Sequence, residues 1–364
     1  MSDNQQMKKI FLTLSVLSFF IAACRQKPDE KILFNDTQVT YEGRVAFKND
    51  AAVLSWPGTS VYINFTGPEI KGAFSESDTG NYYNVILDGA IISKLHFDIE
   101  RKIYTLASGL ENTKHNLQLF KRTEWDKGAT SFYGFSGKEL KVLPASPKQK
   151  RKIEFYGNSI DCGYAVEDYT GDLAIGFYEN NYDAYPAITA RHFNAQYQCI
   201  AKSGIGITIS WFPLLMKEMY DRLDPVDPLS KWDFTKYTPD VVVINLLQND
   251  YWLSNMPNHE QFRFRFGTQK PSPEFIISEY KNFVQSVRNK YPAAKIICML
   301  GNMDIMSNGS AWPGYVTQAT QQLNDKNIYT LFVPYKNTPG HPKKNEQKAL
   351  ADSLINFIDK NIVW

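Results

Sequence analysis

From residue 153 to the C-terminus, short apolar runs of β character alternate with amphipathic runs at helical spacing, a pattern that admits few folds. Residues 153–156, 196–201, 241–246, 295–300 and 328–333 read as strands. Between them, 183–192 carries Pro186 in its first turn, and 274–289 carries Ile276, Tyr280, Phe283, Val284 and Val287 on one face. The run 342–361 repeats the pattern with Leu350, Leu354, Ile355 and Ile358. Strands that are apolar throughout, separated by amphipathic helices, predict a parallel sheet covered on both faces. In such a sheet, ligands bind beyond the carboxyl ends of the strands.

Residues 34–143 carry a different period. Val61, Ile63 and Phe65 alternate, as do Tyr83, Val85 and Leu87, and then Leu117 and Leu119. Asp88-Gly89 is a hairpin signal, and Gly67-Pro68, Gly80-Asn81 and Gly134 mark further turns. No helical period persists, so this region is predicted to be a β-sandwich. Pro144-Ala145-Ser146-Pro147 and the basic run 148–152 then read as a linker, leaving 153–364 for the α/β domain. The 364 residues suffice for both cores. A net charge of +2 gives no reason to expect nucleic acid. Aromatics at 14% are compatible with sugar binding and equally with packing.

The N-terminus reads as an export signal: Lys8-Lys9, an apolar run over 10–23 too short to span a bilayer, then Ile21-Ala22-Ala23-Cys24. That ending resembles the bacterial lipobox, in which the cysteine is lipidated. Residues 1–23 are then a signal peptide and 24–33 a tether. The expected location is periplasmic or at the outer membrane or cell surface, with Cys24 acylated and no inserted helix. Cys162, Cys199 and Cys298 remain; with no CxxC and no Cys/His cluster at ligand spacing, they read as buried thiols and imply no metal.

Chemistry-bearing residues gather at the strand ends. Gly157-Asn158-Ser159 closes the first strand, with Gly163 four residues later, a turn that can expose a serine hydroxyl as a nucleophile. It is not a G-x-S-x-G elbow, because residue 161 is Asp. After the second strand comes Ala201-Lys202-Ser203-Gly204-Ile205-Gly206, whose backbone N–H groups can face a developing oxyanion. Asn249-Asp250 follows the third strand and offers a side-chain donor worth about a hundredfold to a thousandfold in rate. Each of these is also compatible with ordinary turn chemistry. His341-Pro342 opens the last helix after Asn337-Thr338-Pro339-Gly340. His96 and His115 belong to the β region, His192 ends a helix and His259 lies in a polar loop, which leaves His341 as general base by elimination.

Gly157-Asn158-Ser159, Gly204, Asn249 and His341-Pro342 resemble the four blocks of the SGNH (GDSL-like) hydrolase superfamily. With residues 153–164, Tyr185-Pro186-Ala187, residues 197–206 and Lys121-Arg122-Thr123-Glu124, the chain is similar to the family 2 carbohydrate esterases. The resemblance implies an N-terminal jelly-roll sandwich, a three-layer SGNH domain, and removal of O-acetyl groups from polysaccharides such as xylan and glucomannan. It further implies a Ser159–His341 acyl-enzyme mechanism, an oxyanion site of Ser159, Gly204 and Asn249, and no metal or organic cofactor. The chain departs from the family pattern at Asn158, at Leu247-Gln248 and at Thr338, where an acid is usual. Asp250 and Asp304 are the nearest alternative acids in sequence, and each is expected to be replaceable with most activity kept. Trp211, Phe212, Tyr251, Trp252 and Trp312 lie near the blocks and can stack on sugar rings or pack in the core. The competing expectation is a carbohydrate-binding lipoprotein whose esterase site has decayed.

Overall fold

Two six-stranded antiparallel sheets face each other in the computed structural model, which describes residues 29–364. The expected signal peptide and Cys24 lie outside the described residues. Strand His115–Lys121 pairs with both Ser60–Thr66 and Tyr83–Leu87, setting Leu117 opposite Ile63 and Leu87, and Leu119 opposite Val61 and Val85. The alternating residues turn inward and are buried against Ile70, Phe74 and Phe132 of the facing sheet. Phe74 stacks on Phe97 with centroids 4.1 Å apart. Asp88 (φ 51°) and Gly89 (φ 84°) close the hairpin between Tyr83–Leu87 and Ala90–Leu95, as the primed turn requires.

The sandwich begins earlier than its periodicity suggests. Glu30–Leu33, expected to be tether, pairs antiparallel with Thr130–Gly137; only Ile32 is partly buried, so no alternation marks the strand. At the other end, the expected linker is pinned to the sandwich. Asn64 Nδ2 donates to the Pro144 carbonyl at 2.7 Å, and the Ala145 N–H donates to Gln38 at 2.8 Å.

The parallel sheet comprises Arg151–Gly157, Ala195–Ala201, Val241–Asn245, Lys295–Leu300 and Ile328–Phe332, in the spatial order second, first, third, fourth, fifth. Successive residues feed opposite faces. Val242, Ile244 and Ile296 pack on helices Pro273–Lys290 and Trp312–Gln322, while Val241, Val243 and Ile297 pack on Tyr185–His192 and Lys344–Asn361. Burying each such side chain stabilises by about 1.5–3 kcal/mol, which is why the strands are apolar throughout.

The sandwich is joined to both faces of this domain. Trp56 enters one core, and Ile86 and Phe120 enter the other. A buried ion pair completes the seam. Arg44 Nη2 lies 2.7 Å from Glu154 Oε1 with both side chains fully buried, and Arg44 Nη1 donates to the carbonyls of Tyr220 and Arg222. Breaking such a pair leaves an uncompensated buried charge. Arg44→Ala is therefore expected to cost about 3–5 kcal/mol in a denaturant titration, and the double variant Arg44→Met/Glu154→Met less than that.

Candidate active site

The first strand stops at Gly157 because the next residues form a closed turn, Ser159–Cys162. The Asn158 side chain accepts the Ile160 N–H at 3.0 Å, while the Asp161 carboxylate accepts the Asn158 N–H at 3.2 Å. Asn158 Nδ2 also donates to the Asn245 carbonyl at 3.3 Å, a bond that a carboxylate at this position could not make. Asp161 is fully buried and takes the Tyr185 hydroxyl at 2.5 Å; burial pushes its carboxyl up to about 7 against the hydrogen bonds that lower it. A Cβ on Gly157 would sit 1.9 Å from the Asp161 carboxyl carbon, so only glycine fits there. Gln347 of the last helix clamps the same turn, donating to the Ile160 carbonyl at 2.9 Å and accepting the Tyr185 N–H at 2.9 Å.

Ser159 is only 4% exposed, far less open than a strand-end turn suggests. Its Oγ lies 2.8 Å from His341 Nε2, so the first and last sequence blocks do meet. His341 Nδ1 lies 2.5 Å from Asp172 Oδ2, and the His341 N–H donates to Asp172 Oδ1 at 3.1 Å. The third acid is thus neither of the two considered from sequence. Partial burial opposes charge on Asp172, but the hydrogen bonds from His341 and Lys343 hold its carboxyl well below the usual carboxylate range. Lys343 Nζ bonds Asp172 Oδ1 at 3.1 Å and the carbonyls of Ala165 and Gly171. Asp168 knots the loop from within, accepting N–H groups of Thr170, Gly171 and Leu173. Thr338, at the usual acid position, instead accepts Lys336 Nζ at 2.6 Å and donates to Glu346.

Gly204 (φ +82°) follows the second strand in a turn closed by the Ile205 N–H on the Lys202 carbonyl at 3.2 Å. Among the described residues, the N–H groups of Ser159 and Gly204 have no hydrogen-bond acceptor. Asn249 is nearly buried, and its partners fix its orientation. Trp211 Nε1, which can only donate, lies 3.1 Å from Asn249 Oδ1, and Asn249 Nδ2 donates to the Ile205 carbonyl at 2.7 Å. Among the described residues, the second Nδ2 hydrogen has no acceptor. Leu247, where the resemblance expects glycine, has φ +77° and is fully buried. The left-handed backbone costs roughly 1–2 kcal/mol for a non-glycine residue, which core burial of the leucine offsets.

Asp250 is buried and holds the second block in place. It accepts the N–H groups of Ile207 (3.1 Å), Thr208 (2.6 Å) and Ile209 (3.2 Å) and the Thr208 hydroxyl (2.7 Å). Asp304 accepts Trp252 Nε1 at 2.9 Å. Of the aromatic candidates, Trp211 is 40% exposed, and Phe212, Tyr251 and Trp252 are half-buried. Trp312 is only 6% exposed and packs edge-on against Tyr251 in the core, so it offers no open face for a sugar ring. Cys162, Cys199 and Cys298 are free and buried. Among the described residues, no group of three or more His, Cys, Asp or Glu side chains is placed to hold a metal ion. A serine–imidazole–carboxylate line of this kind can carry out acyl transfer when N–H donors meet the oxyanion.

Comparison with known proteins agrees with this geometry. Residues 41–147 match the family model "Carbohydrate esterase 2 N-terminal". The chain is 33% identical to the cellulase/esterase CelE of Acetivibrio thermocellus over 93% of its own length, and spans 41% of that longer protein. It is 22% identical to an acetylxylan esterase/glucomannan deacetylase of Cellvibrio japonicus, covering 98% of this chain and all of that one. A family two carbohydrate esterase from Clostridium thermocellum, solved in complex with cellohexaose, superposes with a TM-score of 0.80 at 31% identity, covering 88% of this chain and 98% of that one. With 31% identity over 98% of that esterase and a matching N-terminal family model, the chain belongs to family 2 of the carbohydrate esterases.

Proposed function

We propose that the protein is a serine esterase that removes O-acetyl groups from a polysaccharide or oligosaccharide, using Ser159, His341 and Asp172. The observation that carries this reading is the hydrogen-bonded line from Ser159 Oγ through His341 to Asp172. His341 Nε2 takes the Ser159 proton as Oγ attacks the acetyl carbonyl. The N–H groups of Ser159, Gly204 and Asn249 Nδ2 receive the oxyanion. His341 then protonates the departing sugar oxygen, leaving acetyl-Ser159. In the second half, His341 deprotonates a water that attacks the acetyl carbonyl, then returns that proton to Ser159 Oγ as acetate leaves. Asp172 keeps the proton on Nδ1 and faces the imidazolium as it forms. The Cellvibrio japonicus relative named for acetylxylan and glucomannan supports a plant-type acetylated glycan as substrate. With the acid role filled by Asp172, Thr338 is no sign of decay, and nothing favours the inactive binding protein. Trp211 supports the reading twice, as the residue that orients Asn249 and as an open aromatic face for a sugar ring.

Acetate release from p-nitrophenyl acetate and from acetylated xylan and glucomannan tests the activity. Wild-type turnover should fall to background in Ser159→Ala and survive EDTA; equal rates in the two proteins would sink the esterase reading. The three acids separate in the same assay. Asp172→Asn, which turns an acceptor toward Nδ1 into a donor, should lose about a hundredfold or more in kcat/KM. Asp304→Ala should keep most activity. Asp250→Ala, first expected to be mild, should instead lose activity because it frees the loop that carries Gly204. Anchoring through Cys24 is part of the proposal, resting on the Ile21-Ala22-Ala23-Cys24 pattern. Labelled palmitate should be incorporated by the full chain and not by Cys24→Ala; a water-soluble, unlabelled product from the unaltered chain would remove the anchor.

A further inference from the structure

One short segment of the β-sandwich, residues 121–127, reaches the turn that carries Gly204. Glu124 of this segment is fully buried, and its Oε2 accepts the N–H of Ser203 at 2.6 Å. Asp126 Oδ2 lies 2.8 Å from Lys202 Nζ, and that ammonium sits over the rings of Trp125 (4.5 Å) and Phe212 (4.8 Å). The two residues immediately before Gly204 are therefore held by the neighbouring domain. Gly204, with φ +82°, occupies the third place of the turn 202–205, where a type II turn requires a positive φ. Its N–H direction is set by the dihedrals of Ser203, and the Glu124 bond fixes the N–H end of that residue. On the far side, the Gly204 carbonyl accepts the Trp211 N–H at 3.0 Å.

The segment is itself rigid. Lys121 Nζ is fully buried and donates to Asn81 Oδ1 at 2.6 Å, to the Thr123 carbonyl at 2.8 Å and to the Glu124 carbonyl at 3.2 Å. The Arg122 carbonyl takes the Asn181 N–H at 2.8 Å, and the Glu124 N–H donates to Glu179. Burial, reinforced by the nearby Glu124 carboxyl, pushes the Glu179 carboxyl far up.

We infer that Glu124 is a positioning residue for the oxyanion amide of Gly204, so that the β-sandwich sets the turnover of the domain beside it. This inference rests on the reading of Ser159 as the nucleophile. Glu124 touches no reacting atom; it acts through Ser203. Glu124→Ala frees the Ser203 N–H and lets the Gly204 amide rotate away from the oxyanion. Glu124→Gln keeps an uncharged oxygen as acceptor.

The test is steady-state hydrolysis of p-nitrophenyl acetate by wild type, Glu124→Ala, Glu124→Gln and Ser159→Ala, with amide hydrogen exchange over residues 199–206 and the folded fraction from thermal melts. Expected for Glu124→Ala is a fall in kcat of about 30–100-fold at a KM within about threefold, with faster exchange at Ser203 and Gly204. Glu124→Gln should lose only about threefold to tenfold. A wild-type kcat in Glu124→Ala, a loss explained by the unfolded fraction, or equal losses in the two variants would overturn the inference. If the alanine variant does not fold, Glu124→Gln decides: the smaller kcat loss at constant KM supports it, and wild-type kcat overturns it. Wild-type activity no higher than that of Ser159→Ala would instead defeat the esterase reading and this inference with it.

Discussion

The order of the parallel strands is the constraint on which the site depends. The first strand lies between the second and the third, so the chain leaves it toward one side of the sheet and later returns to the other. At such a switch point the connecting loops part and leave a crevice beyond the strand ends. Ser159, Gly204 and Asn249 follow the three strands that flank this crevice, which is why residues far apart in sequence share one site. The last helix supplies the rest, since Gln347 grips the Ser159 turn and His341 precedes the same helix.

The parts of the fold with a repeating physical cause were legible in the sequence. Continuous apolar strands and one-faced helices reveal a covered parallel sheet, and Asp88-Gly89 reveals a hairpin through its backbone demand. Glu30–Leu33 was not legible, because an edge strand with one partly buried residue carries no alternation. Trp312 shows the opposite failure. Being close in sequence to site segments says nothing about which way a ring faces, and this one faces the core.

Asp172 was illegible for a deeper reason. It lies in irregular chain, and nothing periodic distinguishes it from any other loop acid. Its partners come from residue 341 and beyond, so the contact exists only once the fold has closed. The departures at Asn158 and Leu247 also carried information that only geometry decodes. Asn158 donates where Asp could not, and Leu247 adopts the left-handed backbone that glycine usually supplies.

An acid is needed beside Nδ1 because of charge, not because of chain position. Lys343 and Asp172 form an ion pair beside His341 Nδ1. In the proposed mechanism, once the imidazolium forms the trio carries one positive charge, balanced by the oxyanion that forms at the same moment. Lys343 lowers the energy of the ionised Asp172 in its half-buried setting and also tethers the loop that carries it, through the carbonyls of Ala165 and Gly171. A carboxylate at residue 338 would meet Lys336 and Glu346, which the present threonine bridges through its hydroxyl. Any segment able to bring a carboxylate to Nδ1 and keep it ionised can therefore meet the requirement, and in this chain the loop after the nucleophile turn does so.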